Sequence, residues 1–419
     1  MKDYQLIEDP AGITDVPGFQ ASGVASDIRG LDDGRFDLAL IVSKHPANTA
    51  GVFTRNRAPA ACVTACRESL RSGHHIHGVV VNSGNANAWT GARGMADASA
   101  MQALAARSCG LPSDSMLVCS TGRIGRALPM KNVRAGIKHA AGILAPSREA
   151  GLNAAEAILT SDTRSKRVTA RVPWNKGFIT ISGMAKGAGM IQPDMATMLA
   201  FIATDAEVSD PLLRAMLKKS VAGSFNAITI DGDMSTNDTV LIFANGASGT
   251  RVTKSKTTLF NRFSAALDYV CGRLAYLLVS DGERISKVVE LSVRGTRRTG
   301  DAEKIARAIG NSLLVKTSWY GGDPNWGRLV DAIGYAGVPF DAEKLDMSYR
   351  DFPHDPKTKG KPVPILKKGV PANRNLPAWR RIVGQPQFSI ILNFNLGKGS
   401  FRLLSTDLTE GYVDFNKSE

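Results

Sequence analysis

The run Gly183-Met184-Ala185-Lys186-Gly187-Ala188-Gly189-Met190-Ile191-Gln192-Pro193-Asp194-Met195-Ala196-Thr197-Met198-Leu199-Ala200-Phe201 decides how this chain is read. Its first part is crowded with glycine, the residue that loses most backbone freedom on ordering, so it predicts a strained loop instead of a core strand or helix. The run is no phosphate loop, because G-x-x-x-x-G-K-[ST] is absent and Lys186 precedes its glycines. The order G-x-G-x-x-G of a dinucleotide site is also missing. What remains is a loop that feeds Thr197 to the head of an apolar strand over residues 198–203. By residue type alone, Thr197 is an ordinary β-branched strand residue.

Outward from this run, short apolar stretches bounded by Gly, Asn or Ser read as buried strands at residues 38–42, 79–81 and 116–118. Helical spacing and stop signals predict helices over 94–109, 131–144, 147–159, 211–223, 257–279 and 302–309, with Ser209 or Asp210 capping the fourth. A hairpin is expected over 166–181, turning at Asn175-Lys176-Gly177. Further strands fall at 227–230, 239–243 and 288–293, and a terminal hairpin joins 389–396 to 401–404. Prolines 353, 356, 362, 364, 371 and 377 stand among lysines, so residues 349–377 are expected to form a loop without regular elements. The whole reads as mixed α/β, with layered sheets and flanking helices.

Composition bounds the function. The 419 residues are 43% hydrophobic and 21% charged, as in an ordinary globular enzyme. The start of the chain is acidic where a signal peptide needs a basic start and an apolar run, and no window approaches the ~20 apolar residues of a membrane span. A cytoplasmic protein without a membrane is the expectation. Cys62 and Cys66 lack a second Cys or His pair, so no metal site is expected and the five cysteines read as free thiols. The net charge of +14 raises the question of nucleic acid, but the main cluster, 357–368 with Arg374, Arg380 and Arg381, has no interleaved aromatics and reads as solvated surface.

Five stretches carry a resemblance. The opening run, Asn82-Ser83-Gly84-Asn85-Ala86-Asn87-Ala88, Ser120-Thr121-Gly122-Arg123-Ile124-Gly125, the run from Ser224-Phe225-Asn226 through Ser235-Thr236-Asn237-Asp238, and Gly322-Asp323-Pro324-Asn325-Trp326-Gly327-Arg328 appear in one order. Together they resemble the ornithine acetyltransferase (glutamate N-acetyltransferase) family of arginine biosynthesis. The resemblance implies an N-terminal-nucleophile-like fold that cuts itself between Ala196 and Thr197. It gives an α chain of residues 1–196 and a β chain of 197–419 that pair further into a heterotetramer. It implies acetyl transfer from N-acetylornithine to glutamate, with acetyl-CoA as a further donor in a bifunctional version and no cofactor.

After the cut Thr197 would own both a hydroxyl nucleophile and an α-amine of ordinary pKa about 7.7–8.0 to serve as base. The resemblance assigns Thr121 and Gly122 to the oxyanion, and Thr160, Lys186, Thr197, Glu283 and Asn416 to substrate. Gly322 through Arg328 is left as structural. Three departures bear on the substrate. Arg284-Ile285-Ser286 replaces Gly-Ala-Thr after Glu283, the chain ends Asn416-Lys417-Ser418-Glu419 without the family's last threonine, and Trp89 stands where a small Cys is usual. An N-terminal-threonine amidase or aminopeptidase, with water in place of the amine acceptor, is the other enzymatic reading; a nucleic-acid binder is the non-enzymatic one.

Overall fold

A computed structural model describes residues 3–73, 75–192, 198–352 and 360–417. They divide into two units, one drawn from residues 3–187, 198–226 and 234–278, the other from 188–192, 227–233 and 279–417. The expected cut between 196 and 197 lies outside the described residues.

The central strands of the first unit are buried on both faces along most of their length. Its strands are β1 (Gln5–Leu6), β2 (Phe19–Val24), β3 (Leu38–Phe53), β4 (Ile76–Asn82), β5 (Met116–Ser120), β6 (Lys166–Trp174), β7 (Gly177–Lys186), β8 (Leu199–Thr204) and β9 (Thr239–Ala244), in the order β1-β6-β7-β8-β9-β3-β4-β5 with β2 also on β3. Helices α1 (Ala61–Arg71), α2 (Gly91–Ser108), α3 (Met130–Gly142), α4 (Arg148–Ala157), α5 (Asp210–Ala222) and α6 (Thr257–Val279) cover it.

Along β3, Leu38, Leu40 and Val42 face α1–α3 in one core. Ala39 and Ile41 face a second core shared with α4 and with Met184, Phe201 and Phe243 of β7–β9. Neighbouring side chains of a strand point to opposite faces, so one apolar run serves two layers. The far face of β7 meets α6, where a Cβ on Gly183 would come within 2.8 Å of a Leu274 methyl. The layers therefore run helix, sheet, sheet, helix, as the sequence predicts.

The second unit holds β10 (Val288–Thr296), α7 (Thr299–Asn311), α8 (Leu313–Tyr320), α9 (Trp326–Gly334), β11 (Asp346–Asp351), β12 (Val363–Lys367), β13 (Val370–Pro371), α10 (Leu376–Val383), β14 (Gln387–Asn393), β15 (Gly399–Thr406) and α11 (Glu410–Asn416). Its sheet runs β13-β12-β11-β14-β10-β15. One core around Val289, Leu291, Trp319, Tyr349 and Phe388 joins sheet to helices. No helix among the described residues is long and apolar enough to cross a membrane.

Four expectations are corrected. Residues 183–186 are not loop but the buried end of β7, because glycine there admits the close approach of α6. The terminal strands β14 and β15 do not pair with each other; β10 lies between them, parallel to β14 and antiparallel to β15. Residues 227–230 make no strand beyond an isolated bridge of Ile228 to Leu404. Within 349–377, β12 and β13 are regular after all. Pro364 sits where, among the described residues, β12 has β11 as its only strand neighbour, and its carbonyl accepts from Trp379 Nε1 at 3.0 Å.

Candidate active site

In the first unit three strand and helix ends bring polar groups together. β5 ends at Ser120, whose hydroxyl donates to Asn82 Oδ1 at 2.7 Å, and the Thr121 N–H donates to the Asn82 carbonyl at 3.0 Å. Gly122 follows at φ +132°, where a Cβ would lie 2.2 Å from the Gly84 carbonyl carbon. Only glycine fits this approach. Thr160 follows α4, and Lys186 ends β7 opposite Leu199 of β8.

Lys186, only 2% exposed, donates from Nζ to Thr160 Oγ1 at 2.7 Å and to Thr121 Oγ1 at 3.3 Å. A threonine hydroxyl has one proton and two lone pairs. Thr121 accepts from Lys186 and so keeps its own proton to give. Among the described residues the Gly122 N–H is given to no acceptor. These two donors are the ones expected to face an oxyanion.

Behind Lys186 lies a carboxylate that sequence reading missed. Asp162 accepts from Lys166 Nζ at 2.6 Å and from the Gly187 N–H at 2.6 Å, and its other oxygen lies 3.9 Å from Lys186 Nζ. Burial alone would raise its pKa, but Lys186, Lys166 and the Gly187 N–H outweigh burial and hold it at about 2. A single buried carboxylate thus lies against two buried lysine side chains. The sequence offers only an i, i+4 spacing with Lys166 outside any helix, which carries no signal.

Ala196 and Thr197 lie outside the described residues. The residue after them is fixed: Met198 is buried, its N–H donates to Asp238 Oδ1 at 3.2 Å, and its carbonyl accepts from the Thr239 N–H at 3.1 Å.

Glu283 and Asn416 belong to the second unit. Glu283 is half-buried after α6, its N–H donates to the Ala188 carbonyl at 2.9 Å, and a Cβ on Gly189 would lie 2.4 Å from its Oε1. Gly189 is therefore the residue that lets this carboxylate fold over the chain. Asp231 receives the Met190 and Ile191 N–H groups at 2.5 and 2.7 Å, and burial raises its pKa. Burial first, then the charges of Asp231 and Glu283, push the Tyr412 hydroxyl up.

Asn416, at the end of α11, is exposed and donates to the Tyr412 carbonyl at 2.8 Å. Arg284 holds its guanidinium 5.6 Å from the Phe415 ring centroid. Trp89 is 76% exposed at φ +58°, so the bulk that departs from the family pattern stands in solvent. Asn325 caps α9 by accepting from the Arg328 N–H at 3.3 Å, a structural task for the motif around it.

Residues 20–418 match the model of the ArgJ family. The chain belongs to the ArgJ family. It is 41% identical over 407 residues to the arginine biosynthesis bifunctional protein ArgJ of Symbiobacterium thermophilum, covering 97% of this chain and 98% of that one. To the glutamate N-acetyltransferase of Methanocaldococcus jannaschii it is 38% identical over 411 residues, 97% of each. A solved chain of the Mycobacterium tuberculosis ornithine acetyltransferase complexed with ornithine aligns at 36% identity and TM-score 0.42, over 45% of this chain and 98% of that one. As an ArgJ protein the chain is an acyltransferase.

Four of its thiols, Cys62, Cys66, Cys119 and Cys271, are buried and free, and burial pushes Cys62 up to about 12, too high for a nucleophile.

Proposed function

We propose that this protein moves an acetyl group from N2-acetylornithine to glutamate through an acetyl-Thr197 intermediate, after cutting itself between Ala196 and Thr197. The observation that carries the reading is the buried Lys186–Thr121–Thr160 cluster, backed by Asp162, at the start of the strand that Thr197 precedes. Membership of the ArgJ family supports it.

In the scission the Thr197 hydroxyl adds to the Ala196 carbonyl carbon, the C–N bond breaks, and the amine departs with a proton. The resulting ester is opened by water, which frees the Thr197 hydroxyl and leaves a carboxylate on Ala196. In the transfer, the Thr197 hydroxyl adds to the acetyl carbonyl of the donor while its α-amine takes the proton. The Thr121 hydroxyl and the Gly122 N–H donate to the oxyanion. Collapse hands that proton to the leaving amine and releases ornithine. The glutamate amine then repeats the steps in reverse and leaves as N-acetylglutamate.

Lys186 is the partner for a substrate carboxylate and Glu283 for ammonium groups, with Thr160 and Asn416 as further substrate-binding residues. Acetyl-CoA is the further donor to be tried. The cut chains stay together and pair into a heterotetramer.

Intact-mass measurement tests the reading. The purified protein should give fragments of residues 1–196 and 197–419, while Thr197→Ala should remain one chain of 44.6 kDa and transfer no acetyl group. An uncut chain that still transfers acetyl, or a Thr197→Ala variant that turns over, overturns it. Acetate release from acetylornithine that ignores added glutamate would make the protein an amidase instead.

A further inference from the structure

Asp238 is a buried carboxyl with no assigned task. It is 0% exposed, and among the described residues its Oδ2 has no hydrogen-bond partner. Buried polar atoms are nearly always paired, so an orphan in a well-packed core marks a place where something else is held. Its other oxygen accepts the Met198 N–H at 3.2 Å.

The frame around this carboxyl is stiff. The Asp238 carbonyl accepts from the Thr54 N–H at 2.9 Å. Next to it, Asn237 Nδ2 donates to the Ser120 carbonyl at 2.8 Å and to the Ala86 carbonyl at 2.6 Å. Asp238 is thereby tied to the strand end that presents Thr121. The peptide unit is planar, so a group that grips the Met198 N–H also fixes the plane shared with the residue before it. That residue is Thr197.

We propose that Asp238 is a positioning residue for the nucleophile: from inside the core it holds the Met198 amide and so anchors the chain at the head of β8, directly after Thr197. The inference rests on Thr197 being the nucleophile. Burial pushes the Asp238 carboxyl well above the usual carboxylate range, against the pull of the Met198 N–H, Thr54 and Lys186. Its Oδ1 serves the Met198 N–H as an acceptor. Asparagine keeps an accepting oxygen for that bond in a side chain of the same size.

Asp238→Asn and Asp238→Ala in the full chain test this, with thermal unfolding followed for both. Asp238→Ala should slow scission by at least about tenfold and, once cut, lower kcat similarly with KM within about twofold, as loss of an interaction that orients the reacting group requires. Asp238→Asn should restore both rates to within about threefold of the parent. Equal scission in Asp238→Ala and the parent overturns the proposal. So does an Asp238→Asn protein as slow as Asp238→Ala, since a negative charge would then be the useful property. Should Asp238→Ala not fold, Asp238→Leu takes its place under the same tenfold criterion. A parent chain that never cuts refutes the nucleophile itself; a parent that cuts no faster than Asp238→Ala refutes only the role of Asp238.

Discussion

Among the described residues each unit buries two lysines, and the two units hold them by different means. In the first, Lys166 and Lys186 surround the carboxylate of Asp162. In the second, Lys287 donates to the Val383 carbonyl at 2.7 Å, and Lys316 donates to the Thr406 carbonyl and hydroxyl. Burial lowers both pKa values there, that of Lys316 to about 8, with Asp407 pulling back only in part. Burying an ammonium group is expensive unless a counter-charge is close. The second unit uses its lysines as donors that tie strand ends to helices. The first sets a carboxylate against both of its lysines, as expected where one of them is proposed to meet a substrate.

The largest test of that contrast is Asp162→Ala. It strands two buried ammonium groups and should destabilise the protein by about 3–5 kcal/mol at neutral pH, read from urea unfolding. The folded pKa of Asp162 lies below its unfolded value of about 3.9, so its contribution is present above that pH and lost as pH falls through about 2. Variant and parent should therefore converge in strong acid. A loss under about 1 kcal/mol would mean that the carboxylate does not sustain the pair.

Lys186→Met should come next, with a smaller effect that falls on function. Losing a charged hydrogen bond to a substrate carboxylate should raise KM for acetylornithine by about ten- to a hundredfold. An unchanged KM would break the assignment of charge to substrate binding.

Lys316→Met should be smallest, within about 1 kcal/mol of the parent at pH 7, because an apolar chain of similar length replaces a group that pays for its burial. The sign distinguishes it. A folded pKa of about 8 against about 10.4 unfolded means that the folded protein gives up the proton first, so parent stability rises with pH through that window. The methionine variant should lose the rise. Persistence of the slope would place its origin in another group.

How much of this the sequence carried depended on range. The apolar run Leu38 to Val42, the helix Thr257–Val279 and the turn at Asn175 are local signals, and the structure reproduces them. Partner choice between distant strands is not local. Residues 389–396 and 401–404 have the look of a hairpin, yet β10, about a hundred residues upstream, lies between them. Gly183 read as loop because the close helix that needs it is Thr257–Val279, far along the chain.

The site followed the same division. Thr121, Gly122, Thr160 and Lys186 came through motifs, and they do meet in one unit. Asp162 and Asp238 meet Lys186 and Met198, which come from distant stretches of the chain, so no local motif marks them.

The pairing of β7 with β8 has a final consequence. Six residue pairs, from Ile181–Thr204 to Lys186–Leu199, zip the chain on one side of the proposed cut to the chain on the other. Before the cut, closing that zipper is a unimolecular event. After it, a denatured sample must bring two polypeptides together, so its recovery becomes second order in protein and fails on dilution. A protein that matures this way would pass its folding problem once, and would thereafter persist by slow unravelling more than by any ability to start again.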